Sequence, residues 1–160
     1  MMDEKARRAA LRKIPYGVTV VTVRAGDRVN GFAGSWVSQC SFSPPMIMLG
    51  VKRAGLSYEL LDQGRIFVLN VLGKDQAEIA EKFFHPVEYT DSQIAGLAYS
   101  RGVTGAPILK DAAAYVECEV ERIFNIGGDH DVVVGRVVDA GFDRDEEPLT
   151  LANTGWQYGG

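Results

Sequence analysis

The stretch Asn30-Gly31-Phe32-Ala33-Gly34-Ser35-Trp36-Val37-Ser38-Gln39-Cys40-Ser41-Phe42-Ser43-Pro44-Pro45 decides how this chain folds. It reads as a strand in which small and hydroxylated residues stand where a sealed core would put bulky ones. Gly31 and Gly34 let something approach the backbone closely. Ser35, Ser38 and Ser41 recur at every third residue and offer hydroxyls and neighbouring amides to a polar ligand, and Pro44-Pro45 interrupts the ladder before the next strand. Spacing alone leaves a second reading open, a solvated sheet edge with a serine-rich turn.

Upstream, Val18 to Arg24 is β-branched almost without interruption, and Gly26-Asp27 supplies a turn, so a hairpin begins the sheet. Downstream, strand-type runs cover Met46 to Val51, Ile66 to Val71, Ala113 to Phe124 and Asp131 to Phe142, giving at least six strands. Short helices punctuate them. Asp3 precedes one that ends at Ile14-Pro15; Ser57 to Gln63 reads as a second, capped by Ser57 and ended by Gly64. Asp75 to Phe84 reads as a third, with Asp75 and Glu78 as a capping box and Ile79, Ala80, Phe83 and Phe84 as its buried stripe. Val87 to Pro107 reads as a long loop folded over a ligand or a partner subunit. Regular βαβ alternation is missing, so the reading is a mainly β (α+β) barrel with short peripheral helices, one domain over residues 1–160.

The 160 residues are 46% hydrophobic and 24% charged, the range of an ordinary globular chain, and the net charge of -4 argues against nucleic-acid binding as the main task. Met1 to Lys13 carries charges throughout and no run approaches the length of a membrane span, so the expected location is cytoplasmic and away from membranes. Cys40 and Cys118 stand alone and read as reduced, half-buried thiols. Neither His85 nor His130 belongs to a ligand-spaced pair, so no metal site is expected.

The motif-bearing stretch resembles the flavin-binding segment of the flavin reductase family: a hairpin with Asn30-Gly31, a Ser-rich strand, then Pro44-Pro45 leading into an apolar strand. The resemblance continues in order. Ile47 to Val51 followed by Lys52-Arg53 and Ser57 is similar to the family's strand, phosphate-contacting turn and helix start. Phe67 to Leu72 is similar to its next strand, and Gly128-Asp129-His130 to its Gly-Asp-His motif. Ser35-Trp36-Val37-Ser38-Gln39 and Tyr115-Val116-Glu117-Cys118-Glu119 are especially like the reductase domains of flavodiiron and rubredoxin fusion proteins.

That resemblance implies an FMN-binding split β-barrel, a homodimer whose chains share each cofactor site, and an NAD(P)H-dependent flavin reductase. FMN, or FAD in its place, is the implied flavin, and NADH or NADPH the co-substrate. Reduced flavin or electrons would go to free flavin, a monooxygenase or another acceptor protein. No Gly-x-Gly-x-x-Gly opens a helix after a strand, so a Rossmann unit is not the means of binding. Ser35, Trp36, Val37, Ser38 and Ser41 are the candidates for the ring. Lys52, Arg53 and Ser57 are the candidates for the phosphate, which needs donors and a compensating cation. His130 is placed at the nicotinamide nucleotide. Each has a plainer alternative: Trp36 in the core, Lys52 and Arg53 on a solvated turn, His130 bonded to Asp129 or Asp131. Other functions left open are an FMN electron carrier that never meets NAD(P)H, and a split barrel that binds haem, a deazaflavin or a pyridoxal compound, or serves as a scaffold.

Overall fold

The unbroken β-branched run near the N-terminus has its cause in the computed structural model, which describes residues 1–160. Strand β1 (Thr19–Ala25) is covered on both faces, so it has no solvent side on which polar residues could alternate. Val21 and Val23 face one core with Leu49, Phe67, Cys118 and Val133, while Val18 and Val20 face a second with Leu72, Phe83, Ile94 and Leu109. Each such fully buried side chain contributes about 1.5 to 3 kcal/mol relative to exposure.

The other strands of this sheet are β2 (Arg28–Gly34), β3 (Val37–Phe42), β4 (Pro45–Lys52), β5 (Ile66–Val71), β9 (Ala114–Asn125) and β10 (His130–Phe142). The sheet has seven strands in the order β2-β1-β5-β9-β10-β4-β3, and every pairing is antiparallel. Asn30 to Pro45 is therefore two strands rather than one. β2 and β3 are consecutive in the chain yet stand at opposite ends of the ladder, and only Ser35-Trp36 joins them. The sheet is thus a barrel with a seam, and the mainly β, split-barrel expectation holds.

Helix α1 (Glu4–Leu11) is capped by the Asp3 carboxylate and buries none of its residues. Helix α2 (Leu56–Gly64) buries Leu60 and Leu61. Its cap is Gly55 rather than Ser57, and it ends on Arg65 in the left-handed region (φ 56°). Ser57 is instead inside the first turn, where its hydroxyl accepts a bond from the Asn30 amide at 3.0 Å. Helix α3 (Ala77–Glu81) is shorter than expected, and Asp75 does not cap it. Gln76 takes that position, and its side chain accepts a bond from the Gly73 amide at 2.8 Å. Phe83 is buried beyond it, but Phe84 stays half exposed.

The expected loop from Val87 to Pro107 is instead a small three-stranded sheet, β6 (Gln93–Ile94), β7 (Leu97–Arg101) and β8 (Pro107–Leu109). Polar anchors fasten it to the barrel. The buried Glu117 carboxylate accepts bonds from the Val103 and Thr104 amides and the Thr104 hydroxyl, and the buried Asn70 accepts one from the Leu109 amide at 2.8 Å. A buried carboxylate is retained because its oxygens are satisfied. Helix α4 (Leu151–Thr154), with a Thr150–Asn153 capping box, precedes the last residues. No helix is long and apolar enough to cross a membrane.

Candidate active site

A cavity of about 640 Å³ opens at the seam. One wall is β2 from Asn30 to Gly34, continued by Ser35 and Trp36; another is Gly50 to Lys52 of β4 with the turn into α2. Phe83 to Pro86 and residues 156–158 complete it. Two absent side chains shape these walls. A Cβ at Gly50 would stand 3.1 Å from the Trp36 ring, and one at Gly31 would stand 2.8 Å from the Phe83 ring. Both aromatics therefore lie directly on backbone, which is what glycine in a strand permits.

Asn30, almost wholly buried, braces the cavity from below. Its amide donates to Ser57, and its carbonyl oxygen accepts from the Val87 amide at 3.2 Å, so one side chain ties β2, α2 and the segment after α3 together. Asp131, also buried, accepts a 2.6 Å bond from the Tyr58 hydroxyl. That bond, then burial, then the carboxylate's charge hold the Tyr58 hydroxyl above its ordinary pKa. Neither Asn30, Tyr58 nor Asp131 was a candidate from sequence, because their roles depend on pairings between distant segments.

Register sets His130 opposite Lys52 on neighbouring strands. The His130 ring lies 4.6 Å from the Trp36 ring, centre to centre, and its side chain is only 12% exposed. Its Nδ1 is 2.7 Å from the Asp129 carboxylate and its Nε2 is 2.9 Å from the Tyr158 hydroxyl. A carboxylate only accepts, so Nδ1 carries a proton and donates to it. In the neutral ring Nε2 then accepts from Tyr158, an assignment that follows from the hydrogen-bond network. The bond from His130 holds Asp129 below the ordinary carboxylate range, whereas burial and then the charge of Asp129 raise Tyr158 and keep its hydroxyl a donor.

Residues 11–160 match the sequence profile of the flavin reductase like domain. The chain belongs to the flavin reductase family. A NADPH-flavin oxidoreductase of Streptomyces viridifaciens is 31% identical over 91% of this chain and 76% of its own length. A high molecular weight rubredoxin of Moorella thermoacetica is 30% identical over 94% of this chain and 65% of its own length. Among solved structures, the NADH:FAD oxidoreductase of Streptomyces globisporus C-1027 superposes with a TM-score of 0.81 at 26% identity, covering 100% of this chain and 96% of that one. Against three of the curated relatives this flavin reductase domain spans only 43 to 65% of their length.

The fold gathers some of the residues singled out from sequence and separates others. Ser35, Trp36, Lys52 and Ser57 line the cavity, and His130 stands against its Trp36 wall. Arg53 is committed elsewhere: its amide donates to the Asp129 carbonyl at 3.1 Å, and its guanidinium donates to the Gly128 carbonyl and lies 3.7 Å from Asp131. Of the two cations, Lys52 alone lines the cavity. Val37 is paired with the buried Leu49 and packs on the core, because strand alternation turns it away from Trp36. Ser38 and Ser41 pair with Met48 and Met46 on the outer side of the hairpin, away from the cavity of this chain. His85, passed over in the sequence except as a metal ligand, lines the cavity.

Proposed function

We propose that this chain is an NAD(P)H-dependent flavin reductase that holds FMN in the seam cavity and delivers reducing equivalents to free flavin or a protein acceptor such as a monooxygenase. The observation that carries this reading is the meeting, in one cavity, of an aromatic wall and a cation without an ion-pair partner beside a helix N-terminus, with His130 packed at a tilt behind that wall, 4.6 Å from the Trp36 ring. The names of the relatives agree with it.

The residues present fit a flavin. Gly31 and Gly50 let Phe83 and Trp36 lie against the backbone as aromatic walls of the cavity, and the buried indole N–H of Trp36 has no hydrogen-bond partner within the chain. Lys52, and the amides that open α2 without intrahelical partners, suit a phosphate. When bound, the flavin supplies the hydride chemistry. The chain's own residues supply alignment: Trp36 and Phe83 exclude water, Lys52 balances the phosphate charge, and His130 offers Nε2 to the nucleotide. Hydride transfer needs no protein nucleophile, so orientation is the main contribution.

The homodimer belongs to the same reading. β3, β4 and β10 leave Phe42, Met48, Val138 and Phe142 exposed, a set of large apolar side chains that a second barrel would cover. Ser38 and Ser41 lie on this outer side, where they would meet the partner's cofactor rather than their own.

The test is an absorption spectrum of the purified protein followed by steady-state oxidation of NADH and NADPH with added FMN. Turnover supports the reductase. A bound flavin that neither nucleotide reduces replaces it with an electron carrier, and a haem or pyridoxal spectrum replaces both.

A further inference from the structure

Residues 156–158 form a wall between two cavities. On one side is the seam cavity; on the other is a second space of about 720 Å³ that is also lined by Arg12, Lys13 and Tyr16. Gly155, at a φ of 74°, ends α4 and turns the chain into this position. Trp156 then meets Phe84 edge-on at 4.9 Å, and Tyr158 meets Trp36 edge-on at 4.9 Å. Beyond them, the Gly159 carbonyl accepts a long 3.4 Å bond from Arg12.

This strap is held by side chains. Residues 157–160 join no strand or helix, and no backbone–backbone hydrogen bond ties them to the barrel, so moving them breaks no ladder. The open space behind gives the strap somewhere to go without repacking the core. The Tyr158 hydroxyl, meanwhile, occupies Nε2, the one nitrogen of His130 not committed to Asp129, and its ring stands against the indole at 62°, 4.9 Å centre to centre.

We propose that Tyr158 is a place-holder for the nicotinamide nucleotide: it occupies the hydrogen-bonding position at His130 and the surface beside Trp36 that the nucleotide must take, so the strap swings out when the nucleotide binds. This rests on the reductase reading above. Tyr158 is a positioning residue, acting through His130. Releasing it favours nucleotide binding by the strength of the contact that no longer competes.

Tyr158→Phe keeps the ring and deletes the hydroxyl. The expected result is a KM for NADH or NADPH lower by about two- to tenfold, the worth of one neutral hydrogen bond, with FMN affinity unchanged. An unchanged KM assigns Tyr158 a structural role and overturns the proposal; so does a raised KM, which would make Tyr158 part of the nucleotide's own site. A second readout needs no turnover. In the FMN-loaded wild type, hydrogen exchange of the Trp156 amide, which donates to the Thr154 hydroxyl at 3.0 Å, is expected to quicken on adding NAD⁺, and slower or unchanged exchange overturns the strap. If neither nucleotide reduces the wild type, Tyr158→Phe and a chain ending at Gly155 decide: reduction regained in them supports the strap, and none in all three removes the reductase reading and the strap with it.

Discussion

The Tyr58 hydroxyl donates to the buried Asp131 carboxylate across 2.6 Å, and this bond fastens α2 to the start of β10. It also sets a pH dependence. The Tyr58 ionisation is raised, so the unfolded chain loses this proton first as pH climbs. The stability is complete below the ordinary tyrosine value of 10 and is lost as pH rises from there through the folded value. Tyr58→Phe is expected to lower Tm at neutral pH and to flatten its decline above pH 10, measured by thermal melts across that range.

Lys52→Ala is expected to weaken FMN far more than riboflavin, because only FMN carries the phosphate. Loss of one charge-assisted bond amounts to about 1.5 to 3 kcal/mol, a factor of roughly ten to a hundred in Kd. Arg53→Ala, by contrast, is expected to lower Tm, since the Arg53 guanidinium holds the Gly128 carbonyl and faces the buried Asp131 carboxylate. Flavin titrations that show equal loss for FMN and riboflavin in Lys52→Ala would move the phosphate elsewhere.

His130→Ala is expected to keep the fold and FMN affinity while slowing reduction of bound flavin at subsaturating NADH or NADPH. Stopped-flow absorbance follows that half-reaction alone. Unchanged reduction removes His130 from the nucleotide site, and loss of flavin reassigns it to the cofactor.

The two thiols are expected to react at very different rates. Cys40 is exposed, at an irregularity in the β3–β4 ladder, whereas Cys118 is fully buried and desolvation pushes its thiol up to about 12. The expectation of two half-buried thiols fails because strand β9 carries Cys118 into the core beside Phe67. A chromogenic disulfide at pH 8 is expected to titrate one thiol in the native protein and a second only after denaturation.

Much of the fold was legible because bulky β-branched runs have one physical meaning. Ile66 to Val71 is a strand to the residue, and the last two long strands begin and end within one residue of their reading. Less was legible where small residues carry no periodicity, as at Ser35-Trp36, where one expected strand becomes two at opposite sheet edges. β6 to β8 run for two to five residues and are held by Asn70 and Glu117 from other strands, which no local pattern announces. The site divides in the same way. Trp36, Lys52 and Ser57 share one cavity and His130 stands against Trp36, as motif order had grouped them, whereas Arg53's contacts with Gly128 and Asp131, more than seventy residues away, have no local signal.

Pairing Met48→Lys with Phe142→Lys is expected to yield monomers by light scattering at micromolar concentration and to weaken FMN, since each cofactor would lose the partner's serines. A wild-type monomer that binds FMN stably would show that one chain suffices.

The seam between β2 and β3 makes the ladder an open ring, and the cavity is lined by β2 at one end and, across the gap, by β4, the neighbour of the last strand. Whatever seats there is a keystone as well as a ligand. It bridges β2 and β4 from either side of the seam, so occupancy adds cohesion to the whole barrel through RT ln(1 + [L]/Kd). The melting temperature of this protein is thereby a gauge of how much of its pocket is filled, readable before any reaction has been assayed.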